Sequence, residues 1–166
     1  MKPSETFKVE PSGDREIIMT RVFDAPRELV FDALTKPEFV SRWLLGPPGW
    51  TMPVCEIDLR VGGTYRYVWR NEDGREMGMG GKYSEIVRPE KIVHTELFDE
   101  AWYEGESLNT WVLTEHAGRT TLTLTMRYET TATRDEVLDS GMQSGVATSY
   151  DRLDNILAEM AEQVAK

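Results

Sequence analysis

Residues 133–166 read TRDEVLDSGMQSGVATSYDRLDNILAEMAEQVAK, and the fold turns on how they are understood. The stretch opens on Thr133-Arg134-Asp135-Glu136, a capping box in which the threonine hydroxyl accepts from the amide three residues on and the glutamate reaches back. Apolar residues then recur in steps of three or four, at Leu138, Met142, Val146, Tyr150, Leu153, Leu157, Met160 and Val164. That spacing puts them on one stripe of a single long helix. At 1.5 Å per residue the helix is roughly 45 Å long, so it needs a partner that wraps it. The stripe is uneven. Gly141, Gly145 and Ser149 thin its first half, whereas Leu153, Ile156, Leu157 and Met160 fill its second. The second half reads as core, and the first as one wall of a cavity. Gly141 and Gly145, four apart, are expected to face inward beside open space, with close packing against a strand as the alternative.

What can wrap such a helix lies upstream. From residue 53 to 128 the apolar period is two: Cys55, Ile57 and Leu59, then Tyr65, Tyr67 and Trp69, and finally Leu122, Leu124, Met126 and Tyr128. Turn signals at Gly62-Gly63, Asn71-Glu72-Asp73-Gly74, Arg88-Pro89-Glu90 and His116-Ala117-Gly118 separate six strands into an antiparallel meander. Another strand covers 15–23. Between it and the meander, Asp24-Ala25-Pro26 starts one short helix, and the capping box Thr35-Lys36-Pro37-Glu38 starts a second through Trp43. The expected fold is α+β: a seven-stranded curved antiparallel sheet around the C-terminal helix, with two short helices between the first two strands. Residues 1–14 carry Pro3, Pro11 and Gly13 and read as a flexible arm, leaving 15–166 as one domain.

Composition narrows the function classes. The chain has 166 residues, 40% of them hydrophobic, which suits one core rather than two. A formal net charge of -10 argues against nucleic acid and anionic membrane as partners, because both are polyanions. Cys55 is the only cysteine, so an internal disulfide is impossible and a reducing compartment, the cytoplasm, is expected. The N-terminus shows no apolar signal region, and the apolar stretch 43–55 is too short and too proline-rich to span a bilayer.

No catalytic or phosphate-binding signature is present, and the two histidines, His94 and His116, form no metal pattern. Neither metal nor cofactor is expected. Gly78-Met79-Gly80-Gly81 lies in a strand and reads as a bulge or close backbone approach, with room for a ligand as the second explanation. His94 shares strand parity with Ile92, Glu96 and Phe98; if that face is inward, two ionisable groups sit in an apolar space. Cys55, among apolar strand residues, reads as a structural thiol. Aromatic residues at loops and strand ends, Trp50, Trp102 and Tyr103, are expected at the mouth of a pocket. The candidate ligand-binding set joins Trp43, Trp50, Tyr65, Tyr67 and Trp69 to Met79, His94, Glu96 and Phe98. Trp102, Trp111, Leu124 and Met126 continue it, and Met142, Gly145 and Val146 complete it from the helix.

Several segments together carry a family likeness: Phe23-x-Ala25-Pro26-Arg27-x-x-Val30-Phe31-x-Ala33-Leu34-Thr35, then Pro37-Glu38 and Trp43. Asp58-x-Arg60-x-Gly62-Gly63, Gly81-x-Tyr83-x-Glu85 and Gly141-Met142-x-x-Gly145 before Asp151-Arg152-Leu153 extend it over most of the chain. The sequence resembles the bacterial proteins grouped with the activators of the heat-shock-protein-ninety ATPase, in the superfamily of START-related and birch-pollen-allergen-like (SRPBCC) domains. The resemblance implies a helix-grip fold enclosing a hydrophobic cavity. It also implies an apolar or amphipathic small molecule as partner. A cyclase/aromatase-like enzyme acting on polyketides and a chaperone-interacting module are the alternatives, the protein being a monomer or homodimer. The aromatics and glycines are plentiful and the acid/base candidates few, which favours binding.

Overall fold

In the computed structural model, which describes residues 2–165, eight antiparallel strands form one open sheet. In chain order these are β1 (Lys8–Ser12), β2 (Glu16–Phe23), β3 (Trp50–Ile57), β4 (Thr64–Asn71), β5 (Glu76–Val87), β6 (Lys91–Phe98), β7 (Ser107–His116) and β8 (Arg119–Arg127). Their order across the sheet is β1-β2-β8-β7-β6-β5-β4-β3, a six-strand meander with β2 returning beside β8. Helices α1 (Arg27–Thr35) and α2 (Pro37–Trp43) bridge β2 and β3, and α3 (Thr131–Asp139) and α4 (Met142–Ala165) close the chain. This is the α+β helix-grip arrangement. Among the described residues no helix is long and apolar enough to cross a membrane.

The sheet has one strand more than the sequence reading. β1 lies in the stretch read as a flexible arm and pairs with β2 from Lys8↔Thr20 to Ser12↔Glu16. It is an edge strand, a place where a proline such as Pro11 is tolerated. Ahead of it the Thr6 hydroxyl accepts from the Val22 amide at 2.8 Å, and Phe7 packs edge-on against Tyr150 at 5.8 Å.

The single long helix is also corrected: the chain breaks at Gly141, whose φ of +80° a right-handed helix excludes. Ser140 ends α3, its hydroxyl donating to the Val137 carbonyl at 2.6 Å. α3 itself begins earlier than the Thr133 capping box, with Thr130 as the cap accepting from the Thr133 amide at 3.1 Å. The box at Thr35 does not form either, because that hydroxyl bonds back to the Phe31 carbonyl at 2.7 Å and Lys36 caps α2. Gly141 is exposed and borders open space, with nothing near the place of a Cβ, but it does so at the break between two helices rather than on the face of one. Val164 leaves the buried stripe too, at 73% exposed, because α4 has by then run past the sheet.

Between those ends α4 buries Tyr150, Leu153, Ile156, Leu157 and Met160 against α1, α2 and the concave face of the sheet. One charge helps to fix it there. Arg21, on the inner face of β2 and 1% exposed, bonds Asp154 at 2.6 and 3.1 Å and Asp151 at 3.0 Å. Arg134 does the equivalent for α3, donating to the Gly13 and Glu16 carbonyls at 3.3 and 2.9 Å. The second half of α4 is thus packed solid. Its first half is not.

Candidate functional site

Under the first turns of α4 the sheet and helices leave a cavity of about 450 Å³. It draws its walls from two apolar clusters, one under α1, α2 and α4 and a smaller one around β8 and Val137 of α3. All sixteen residues of the candidate set border it. Parity explains most of this convergence, since inward positions alternate along each strand.

On β4, Tyr65, Tyr67 and Trp69 stand in a row with ring centroids 4.9 and 5.9 Å apart. Trp69 is fixed by a 2.6 Å bond from its indole nitrogen to the Leu44 carbonyl, and Trp43 by one of 2.8 Å to the Ala33 carbonyl. Met79 of β5 lies opposite Tyr67. Leu124 and Met126 close the β8 side, and Met142 and Val146 cover the space from α4. Trp50 and the exposed Met77 and Trp102 border it towards solvent. Tyr103, expected beside Trp102 at a mouth, is instead buried, edge-on to Tyr128 at 5.3 Å.

The face of β6 carrying His94 and Glu96 is the inward one. His94 is enclosed by Tyr65, Tyr83 and Trp111, with centroids 5.3, 5.9 and 5.7 Å away, and desolvation lowers its pKa to about 4. It is therefore a neutral imidazole at physiological pH. Glu96 moves the other way, to about 7: burial raises it, and the Tyr103 hydroxyl, donating to Oε1 at 3.2 Å, offsets only part. Behind Tyr103 comes Ser107, 3.3 Å away, which accepts from the Asn109 amide at 3.1 Å. With Glu96 ionised, Tyr103 donates to it and Ser107 to Tyr103, so the row of donors ends on the carboxylate.

The glycine-rich stretch of β5 has a packing role. A Cβ on Gly81 would collide with the Thr95 carbonyl oxygen, and one on Gly80 would crowd that of Tyr65. Beside it the β5–β6 register shifts between Tyr83 and Glu85. There Thr95 Oγ1 accepts from the Lys82 amide at 3.0 Å, while the Thr95 carbonyl accepts from Tyr65 Oη at 2.7 Å. Gly145 departs from expectation. It borders the cavity, but a Cβ there would lie 3.3 Å from Pro47 Cδ rather than in open space. The loop carrying Pro47 is held to α4 at both polar groups of Gly46: its amide donates to Ser149 Oγ at 2.9 Å and its carbonyl accepts from Arg152 at 2.7 Å.

Tyr83, Asn109, Tyr128 and Ser149 also line the cavity and were not among the candidates. Two were within reach of parity: Asn109 is in phase with Trp111, and Tyr128 with Met126. Cys55 is half-buried and outside the cavity, its thiol pushed up to about 11 by burial, which keeps it protonated. Among the described residues no three His, Cys, Asp or Glu side chains come together as metal ligands.

The family model described as Activator of Hsp90 ATPase homolog 1-like protein matches residues 24–158. Among solved structures, a Rhodobacter sphaeroides protein superposes with a TM-score of 0.87 at 33% identity, over 92% of this chain and 98% of that one. A Chromobacterium violaceum protein gives 0.74 at 28% identity, over 86% and 96%. The AHSA1 protein of Silicibacter pomeroyi gives 0.70 at 21% identity, over 87% and 99%, a likeness of fold alone. No curated protein matches the chain.

Proposed function

The chain belongs to the family of Activator of Hsp90 ATPase homolog 1-like proteins, within the SRPBCC superfamily, and from that premise we propose that it binds an apolar or amphipathic small molecule between its sheet and α4. The observation that carries this reading is the cavity itself. Its volume of about 450 Å³ falls in the range of roughly 300–1,000 Å³ usual for small-molecule sites. Its walls are mainly aromatic and aliphatic, with His94, Glu96, Asn109 and the unpaired indole N–H of Trp111 among the polar groups that orient a guest. A core of this size left unfilled forgoes dispersion contacts along its lining, and an apolar occupant restores them. Native mass spectrometry of protein freshly purified from its own host tests the reading. The expected result is a one-to-one adduct of a small organic molecule, and protein found only at its bare mass after gentle purification counts against it.

One feature favours a second reading. A carboxyl held at about 7 beside a tyrosine hydroxyl suits general acid–base chemistry, which works best when the catalytic pKa lies near the operating pH. Under this reading Glu96 moves a proton on the bound molecule. Incubating the molecule recovered from the host with protein, and finding it unchanged by mass and chromatography, removes the enzyme reading and leaves binding.

A further inference from the structure

We propose that the cavity selects an organic cation, an apolar molecule bearing a protonated amine or quaternary ammonium, seated on Glu96 and the aromatic faces around it. This rests on the reading of the cavity as a ligand site and names the class of ligand.

Among the described residues bordering the cavity there is no lysine and no arginine, and Glu96 is the only acid. The charged side chains nearest in chain, such as Arg66 and Asp99, bond each other outside it. The groups around Glu96 are neutral: His94 on the same strand, Tyr65 on β4, Asn109 on β7, Tyr128 beyond β8 and Tyr103 before β7. Glu96 is part-buried and reaches only the cavity side, and a carboxylate withdrawn from bulk water in this way ordinarily has a cation or several donors. Here it has one donor, at Oε1, and Oε2 has no hydrogen bond among the described residues. When Glu96 is ionised, the row Asn109–Ser107–Tyr103 ends on it as the acceptor. What is missing is the positive partner.

The surroundings are built for one. Burial first, and then the nearby Glu96 charge, raises the hydroxyl pKa values of Tyr65, Tyr103 and Tyr128. Phe98 and Trp102 pack on Tyr103 at 5.8 and 4.8 Å. Aromatic faces attract a cation most strongly once water is excluded. An anionic head group meets the opposite: a second negative charge beside Glu96 with nothing to neutralise either. A neutral hydroxyl can donate one hydrogen bond to Oε2, but it leaves the carboxylate charge unmatched. At longer range the net charge of -10 steers cations inward and anions away. Burial without a cation also accounts for the raised Glu96 pKa, so binding an ammonium near pH 7 releases a proton.

Isothermal titration calorimetry with decylammonium, decanol and decanoate, three probes differing only in the head group, tests the proposal on the unmodified protein. Decylammonium is expected to bind at least about tenfold more tightly than decanol, with decanoate weakest. Its measured enthalpy should change with the ionisation enthalpy of the buffer, reporting proton release. In Glu96→Gln, checked for cooperative melting, the preference for ammonium over alcohol should vanish. Decanol or decanoate binding as tightly as the ammonium overturns the cation proposal while leaving the cavity a binding site. No binding by any of the three overturns both.

Discussion

The Tyr103 hydroxyl donates to Glu96 at 3.2 Å, and among the described residues it is the only hydrogen bond that carboxyl has. One bond does not replace the water lost on burial, which is why the Glu96 pKa stands near 7 rather than near 4.5. Two residues back, His94 is displaced downward to about 4 by the same desolvation. These shifts act on stability in opposite directions. Between about pH 4.5 and 7 the folded protein keeps a proton on Glu96 that the unfolded chain has lost, so this group makes stability fall as pH rises. Between about pH 4 and 6.5 the unfolded chain holds a proton that folded His94 rejects, so this group makes stability rise with pH. In the wild type the two largely cancel. Relative to wild type, Glu96→Gln is expected to gain stability as pH rises from 4.5 to 7, and His94→Phe to lose it as pH rises from 4 to 6.5. Urea unfolding across that pH range checks both signs, and variants whose difference from wild type does not change with pH contradict the account.

Arg21 ties β2 to α4 through Asp154 and Asp151, and it is far more buried than either carboxylate. Arg21→Met removes a charge that has no route to water, but it leaves two aspartates that do. The loss is therefore expected at roughly 2–3 kcal/mol, below the 3–5 typical when the abandoned partner is fully buried. A double-mutant cycle with Asp154→Asn should show that most of the effect is shared, and additive effects would place the anchoring elsewhere.

Gly145 meets Pro47 at the point where α4 crosses the loop after α2. Alanine recovers about 1 kcal/mol of helix propensity but presses on a loop pinned through Gly46 to Ser149 and Arg152. The two effects oppose each other, so Gly145→Ala should shift stability by less than about 1 kcal/mol. Gly145→Val has no such balance, and overpacking should cost about 1–3 kcal/mol. Thermal melts of the pair decide it: a valine variant as stable as wild type means the space beside Gly145 is open after all.

Strand parity made the inward set legible. A side chain's face on a strand follows from counting by two, so Tyr65, Tyr67 and Trp69 share one face and His94 and Glu96 share another without knowledge of the register. Which face of β6 is inward takes the structure to decide. Counting along the C-terminal helix fared worse at one place. The apolar steps continue through Leu138 and Met142, and nothing in that repeat reveals that Gly141 takes a left-handed φ and divides the helix. β1 was missed because an edge strand shows water one side and a proline is harmless there. The Asn109–Ser107–Tyr103 row was out of reach for another reason. It depends on how residues 99–106 fold back over β6, and that loop has no periodicity to read.

The five tryptophans of the chain, at 43, 50, 69, 102 and 111, all border the cavity, so any guest inside it lies close to several indoles. Titration with the uncharged dye Nile red, following energy transfer from tryptophan, therefore tests most directly whether the cavity between sheet and α4 is a binding site. Two variants complete the measurement: Val146→Trp, which fills the cavity from α4, and Val112→Trp, which adds the same bulk on an exposed position of β7. The account predicts saturable one-to-one transfer in the wild type and in Val112→Trp, weakened at least about tenfold in Val146→Trp. Equal binding by all three proteins, or no saturable transfer in the wild type, would contradict it.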